Sequence, residues 1–268
     1  MAFKINGKVV LVTGGASGLG FAFVKEFLHN EAKGAAIVDV NSERGLVALY
    51  EIRKEFGEGR CIFLKCDVTV SNELEEAFKE TVRVFKQLDI VVNNAGILNE
   101  KKLGEMRLNQ FGMFINSCIN GTLLAMEKYL PQYRSDKEGV VVNVSSIYGL
   151  QPFYKTPTYT ATKTAVIGYS RAYGEEVHYK RTNVKIIALC PGHTQTTILD
   201  VLPEQLCEWH IELAKQEAEE LNKRKLQSPE HVALNLIKIV QNGKSGSVWV
   251  VTRNEPAFEE FFPEKDYC

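Results

Sequence analysis

No apolar run in this chain is long enough to span a bilayer, and there is no CxxC pair, no proline-, glycine- or serine-rich linker and no solenoid-type repeat. The first absence excludes a helical membrane span. Without CxxC pairs, the cysteines at 61, 66, 118, 190, 207 and 268 read as small core hydrophobes in a reducing, cytoplasmic compartment. Without a linker or repeat, the expected organisation is a single domain over residues 1–268. Charge of one sign is missing too: 32 basic against 33 acidic residues leave a net charge of −1, so no nucleic-acid partner is expected. Met1–Lys8 is short and mixed and shows no charged-then-apolar leader. The sequons at Asn120 and Asn143 therefore read as chance. No His, Cys, Asp and Glu grouping at ligand spacing suggests a metal, and His193 and His210 carry none in this reading.

What is present is a strand and helix alternation. Lys8–Thr13 is a short apolar, β-branched run, and further runs follow at Ala35–Val40, Cys61–Cys66, Asp89–Val92, Gly139–Val144, Val184–Leu189 and Ser247–Val251. Helical segments separate them, including Phe21–His29, Glu43–Phe56 capped by Ser42, and Glu73–Lys86 capped by Ser71. Continuous rather than alternating apolarity in the strands means a parallel sheet covered on both faces. The fold class is α/β, with about seven strands. Ligands of such sheets bind outside the carboxyl ends of the strands.

The residues at those ends are the chemically interesting ones. Thr13-Gly14-Gly15-Ala16-Ser17-Gly18-Leu19-Gly20 lies between a strand and a helix. Glycines there let the backbone approach a pyrophosphate, and the helix N-terminus offers free N–H groups. Asp39 ends the next strand, where an acid binds a ribose 2′-hydroxyl and repels a 2′-phosphate; this argues for NAD over NADP. Later, Tyr159-Thr160-Ala161-Thr162-Lys163 sits in Thr156–Tyr179, a segment with helical spacing. Residues four apart share a helix face, so Lys163 stands one turn from Tyr159. An ammonium beside a phenol favours the phenolate, which suits a tyrosine to general acid–base work.

Taken together, TGGASGLG, Asp39, Cys66-Asp67-Val68, the NNAGI run at 93–97, Ser146, YTATK and Cys190-Pro191-Gly192 resemble the short-chain dehydrogenase/reductase family, in order from Lys8 to about Thr196. Length and the run 246–250 look most like the branch of 15-hydroxyprostaglandin dehydrogenase and the insect alcohol dehydrogenases. The resemblance implies a Rossmann-type doubly wound sheet, an NAD cofactor and hydride transfer between a carbinol carbon and the nicotinamide. It implies Tyr159 as the base, Lys163 as the group that holds the nicotinamide ribose, and Ser146 rather than Ser145 as the hydrogen-bonding partner of the substrate oxygen. Gly14, Ser17, Gly18, Leu19 and Gly20 would form the cofactor loop. Asp67 and Val68 would flank the adenine, Asn94 and Gly96 would line the cofactor, and Pro191, Gly192 and Thr194 would lie on its carboxamide side. A fourth polar residue, an asparagine, has two candidates. Asn116 fits the spacing to Ser146 and is favoured, whereas Asn109 carries the local Asn-x-x-Gly pattern.

A lid over about 194–226 and the stretch Gln151–Tyr154 would choose the substrate. Gln151, Phe153, Tyr154, Leu199 and Trp209 suggest a lipophilic secondary alcohol of oxylipin, steroid or terpenoid type; the same apolar residues would equally pack a lid onto the sheet. The expected partner is a homodimer, or a tetramer, formed through the helices Leu103–Leu130 and Thr156–Tyr179. A tail over about 254–268, rich in phenylalanine, is expected to dock on the lid or on a second subunit. Two other readings remain open here: a carbonyl reductase using NADH, and a dinucleotide-binding protein with little turnover.

Overall fold

The computed structural model describes residues 2–97, 117–196 and 226–263. The first strand, β1 (Val9–Thr13), is buried at every position, and its side chains alternate between two cores. Val10 and Val12 face one layer of helices, while Val9 and Leu11 face the other. That two-sided burial is why the strand reads as an unbroken apolar run. After it come α1 (Gly18–His29), β2 (Gly34–Asp39), α2 (Ser42–Phe56), β3 (Cys61–Lys65), α3 (Ser71–Phe85) and β4 (Ile90–Asn93). In α4, residues 117–123 are α-helical, Leu124–Tyr129 form a π-helical turn and Leu130–Tyr133 a last α turn. The chain continues through β5 (Gly139–Val144), a short 3₁₀ turn (Ile147–Gly149), α5 (Pro157–Tyr173), α6 (Glu176–Thr182), β6 (Val184–Pro191), α7 (Pro229–Asn242), β7 (Val248–Val251) and β8 (Phe258–Glu260).

The strand order is β3-β2-β1-β4-β5-β6-β7-β8, and every pair is parallel except β7 with β8. The order reverses between β1 and β4, the position at which open α/β sheets leave a crevice for ligands. Phe23 and Phe27 of α1 pack with Leu236 and Val240 of α7 over one face; Phe78 of α3 packs with Met126 and Leu130 of α4 over the other. All seven are fully buried, and each contributes about 1.5–3 kcal/mol by leaving water.

Several expected boundaries move, each for a local reason. The side chain of Asn41, not Ser42, caps α2 by accepting from Arg44 N at 2.9 Å. Ser71 is already inside α3, whose cap position is Val70. The preceding turn is held instead by Asp67, which accepts from Thr69 N at 2.9 Å and Thr69 Oγ1 at 2.7 Å. The segment Thr156–Tyr179 is two helices. At Gly174 the turn containing Gly246 crosses so closely that a Cβ would meet Gly246 Cα at 2.2 Å.

Among the described residues the sheet has eight strands rather than seven. The additional one comes from the aromatic tail. The chain reverses through Arg253 and Asn254, both left-handed (φ 57° and 58°), with Glu255 N donating to Thr252 O at 3.0 Å. Positive φ at both central residues is the pattern of a type I′ turn. Phe258–Glu260 then pairs with β7, so the backbone of this part of the tail docks on its own sheet edge, a place not among those expected. Residues 197–225 of the expected lid over about 194–226, the segment 98–116 and the tail from 264 fall outside the described residues.

Candidate active site

Loops from four strand ends meet at the reversal point. Thr13, at the end of β1, accepts on its Oγ1 from Asn94 N (3.0 Å) and Ala95 N (3.1 Å), and the Asn94 amide donates back to Thr13 O (2.9 Å) and Gly14 O (3.3 Å). These bonds clamp the glycine loop against the turn after β4. Gly14 is left-handed (φ 63°), and a Cβ on it would lie 3.0 Å from Ala95 Cα. A side chain is thus excluded both by conformation and by contact. Ser17, at the N-cap of α1, makes no side-chain cap bond, and the first turn holds no acidic side chain. Asp39 is half-buried at the end of β2, accepting from Ala16 N at 3.1 Å and from Asn41 N at 3.0 Å. Its carboxylate is thereby fixed beside the glycine loop.

At the end of β5 the two serines separate in role. Ser145 is buried, and its hydroxyl donates to Lys163 O at 2.7 Å, tying α5 to the sheet. Ser146 Oγ accepts from Tyr148 N at 3.2 Å, which leaves its own proton to donate elsewhere. Gly149 brings α5 close: a Cβ there would lie 2.7 Å from the Lys163 carbonyl. Lys163 Nζ donates to Val144 O at 2.9 Å and sits 5.5 Å from the centroid of the Tyr159 ring. Tyr159, Lys163 and Ser146 all line one cavity of about 180 Å³, together with Leu19, Asn94, Gly96, Pro191, Gly192 and Thr194.

Phe153 lines this cavity, whereas Gln151 and Tyr154 are exposed and stand outside it, Tyr154 at 69%. Turning Tyr154 outward lets Phe153 stack inward on Tyr148. Asp67 holds its own turn through one carboxylate oxygen, Oδ1, and Val68 is partly buried against the core beside α3. Asn116, Asn109, Leu199 and Trp209 lie outside the described residues. Cys190, at the end of β6, is free and buried; burial pushes its thiol up to about 12, so it stays protonated and is no nucleophile. Among the described residues no group of three His, Cys, Asp or Glu side chains is placed to hold a metal.

Four participants escape a reading of sequence. Thr13 is the clamp just described. Tyr148 OH and His193 Nε2 share a hydrogen bond of 2.7 Å across the cavity wall. Gln227, fully buried, donates to Thr194 Oγ1 (3.0 Å) and to Val251 O (2.9 Å), fixing the loop after β6. The only sequence cue was the threonine preceding the glycines; the others depend on long-range contacts.

The model for short chain dehydrogenase matches residues 8–206, most of the chain. This chain belongs to that family. A curated relative, the 15-hydroxyprostaglandin dehydrogenase [NAD(+)] of Rattus norvegicus, is 32% identical over 254 residues, covering 94% of this chain and 93% of its own. Alcohol dehydrogenase 2 of Ceratitis capitata is 27% identical over 248 residues, 92% of each protein. Among solved structures, levodione reductase superposes with a TM-score of 0.76 at 23% identity, covering 92% of this chain and 96% of that one, a likeness of fold. As a short chain dehydrogenase, this protein is an oxidoreductase by family.

Proposed function

We propose that this dehydrogenase uses NAD to oxidise a lipophilic secondary alcohol, of oxylipin, steroid or terpenoid type, to the ketone. The observation that carries the reading is the convergence of Ser146, Tyr159 and Lys163 on one cavity at the sheet's reversal point. The named relatives, an NAD(+)-dependent hydroxyprostaglandin dehydrogenase and an alcohol dehydrogenase, support the same direction of chemistry. The dinucleotide fits the residues present. Uncapped N–H groups at the start of α1 and the Cβ-free approach at Gly14 suit a pyrophosphate. Asp39 would accept from the ribose hydroxyls and disfavour a 2′-phosphate. Asn94, Gly96, Pro191, Gly192 and Thr194 would line the remainder of the cofactor site.

The nicotinamide, when bound, supplies the hydride acceptor. The protein's part is to hold the alcohol and move its proton. Ser146 donates its hydroxyl proton to the substrate oxygen, since its acceptor side is taken by Tyr148 N. Tyr159 removes the proton of the alcohol as general base. Lys163, pinned to Val144 O, keeps a positive charge beside the Tyr159 ring. The apolar flank of Leu19, Val144, Ile147 and Phe153 favours a lipophilic alcohol and keeps water from the reacting carbon.

A homodimer packed through α4 and α5 in a reducing cytoplasmic compartment completes the proposal. Four free, buried thiols at Cys61, Cys66, Cys118 and Cys190 favour that compartment. The test is NADH absorbance at alkaline pH with NAD and a panel of short and lipophilic secondary alcohols. Turnover is expected with members of the panel. Tyr159→Phe is expected to lower kcat/KM by about 10²–10⁴-fold while the dinucleotide still binds. Turnover that survives Tyr159→Phe would overturn the assignment of the base.

A further inference from the structure

Thr156 occupies the N-cap of α5, where a threonine ordinarily accepts a hydrogen bond from the first turn of its helix. It does not do so here. Its backbone (φ −135°, ψ 63°) departs from the extended geometry of Ser228 (φ −81°, ψ 154°), which does cap α7 by accepting from His231 N at 3.1 Å. Instead, Thr156 Oγ1 is buried with no hydrogen-bond partner, on a residue that lines the cavity. A buried hydroxyl left unpaired is a cost that a native structure keeps for a reason.

The neighbouring wall is also polar. Thr156 N donates to Phe153 O at 3.1 Å, and the Phe153 ring stacks on Tyr148 with centroids 4.4 Å apart and planes within 5°. Tyr148 OH then meets His193 Nε2 at 2.7 Å. Thr156, Phe153, Tyr148 and His193 therefore form one continuous side of the cavity. Other polar groups in the lining are committed to the backbone: Ser145 Oγ to Lys163 O, Thr194 Oγ1 to Gly192 O, and the Asn94 amide to Thr13 O and Gly14 O. A threonine hydroxyl without a partner both donates and accepts.

We propose that the Thr156 hydroxyl and the Tyr148–His193 pair form a second polar station that hydrogen-bonds a further oxygen of the substrate, in addition to the reacting one. The substrate is then a secondary alcohol that also bears a hydroxyl or keto group, set in an otherwise apolar skeleton. The inference rests on the alcohol-oxidation reading above and narrows it. Thr156 and Tyr148 are specificity residues, distinct from the three groups at the reacting carbon.

The test measures binding, so that it does not depend on turnover. Protein loaded with NADH is titrated calorimetrically with a straight-chain secondary alcohol and with analogues carrying one added hydroxyl or keto group at successive carbons. At least one doubly oxygenated analogue is expected to bind about tenfold more tightly than its parent, the gain of one neutral hydrogen bond. Thr156→Val and Tyr148→Phe, which keep shape and remove a hydroxyl, are each expected to bring that advantage down toward unity. Equal binding of parent and analogues throughout the series overturns the proposal. So does an advantage that survives in both variants. Should the advantage appear and fall as expected while no alcohol is turned over, the polar station stands and the oxidation reading fails.

Discussion

The two ends of the sheet are built on opposite terms. At the amino end a buried charge is fully matched. Asp89 is fully buried and accepts from Val9 N (2.9 Å), Gln87 Nε2 (2.6 Å), Ser135 N (2.6 Å) and Ser135 Oγ (2.7 Å), with Lys8 at 3.7 Å. Lys185 pairs with Glu138 at 3.1 Å, and Tyr179 donates to the same carboxylate at 2.6 Å, a bond that pushes the phenol up to about 12. The Phe3 ring has Lys8 at 5.5 Å and Lys185 at 5.4 Å from its centroid. At the carboxyl end, bonds are left unmade: Ser17 does not cap α1, Thr156 does not cap α5, and a hydroxyl is buried without a partner. A satisfied network holds the fold together, and an unsatisfied one is ready for a ligand.

The largest effect comes from breaking the satisfied end. Asp89→Ala strands two backbone N–H groups, a serine and a buried lysine, and is expected to cost about 3–5 kcal/mol of stability, read as a lower urea midpoint. Because Asp89 lies at the far end of the sheet from the cavity, kcat/KM of the folded variant should stay within about twofold of wild type. A large loss of kcat/KM at intact stability would contradict the division between the two ends.

A smaller effect sharpens the ligand end. Asp39→Ala removes the carboxylate beside the glycine loop. The preference for NAD over NADP should fall by about tenfold, roughly 1.4 kcal/mol, measured as the ratio of kcat/KM with the two cofactors. An unchanged ratio would place the discrimination elsewhere.

A last comparison concerns four buried thiols, silent at neutral pH. Burial pushes Cys61, Cys66, Cys118 and Cys190 from the ordinary 9.0 up to about 12. In this range the unfolded chain loses thiol protons before the folded one does. Stability is therefore full below about 9.0 and declines as pH climbs toward 12. Urea midpoints measured across that interval should fall steadily. Alkylation at neutral pH should leave the four native thiols unlabelled and label them all in urea.

What could be read in the sequence was whatever lies within one strand end or one helix turn. The glycine loop, Asp39 and the Tyr159–Lys163 pair are local patterns, so they stood out in the sequence. The choice between Ser145 and Ser146 rested on family spacing; the hydroxyl of Ser145 is bonded to Lys163 O, while that of Ser146 accepts from Tyr148 N. Thr13 with Asn94, and Tyr148 with His193, join loops distant in sequence, and no periodicity announces them. Thr156 looks like an ordinary cap before Pro157; only its dihedrals show that it is not one. The break at Gly174 was equally hidden, because its cause is the crossing of Gly246 from another part of the chain. The place of Phe258–Glu260 depended on a vacant edge that only the assembled sheet provides.

That edge has a consequence for the protein in concentrated solution. Without β8, the ladder of β7 would offer unpaired backbone groups to any extended segment of a neighbouring molecule. The strand that covers it is three residues long and ends in Glu259 and Glu260. A short, negatively charged border is a poor template for further strands. The reversal at Arg253 and Asn254 thus leaves Phe258 and Phe261 exposed yet ends the sheet on this side, and with it one route to stacking one molecule onto the next.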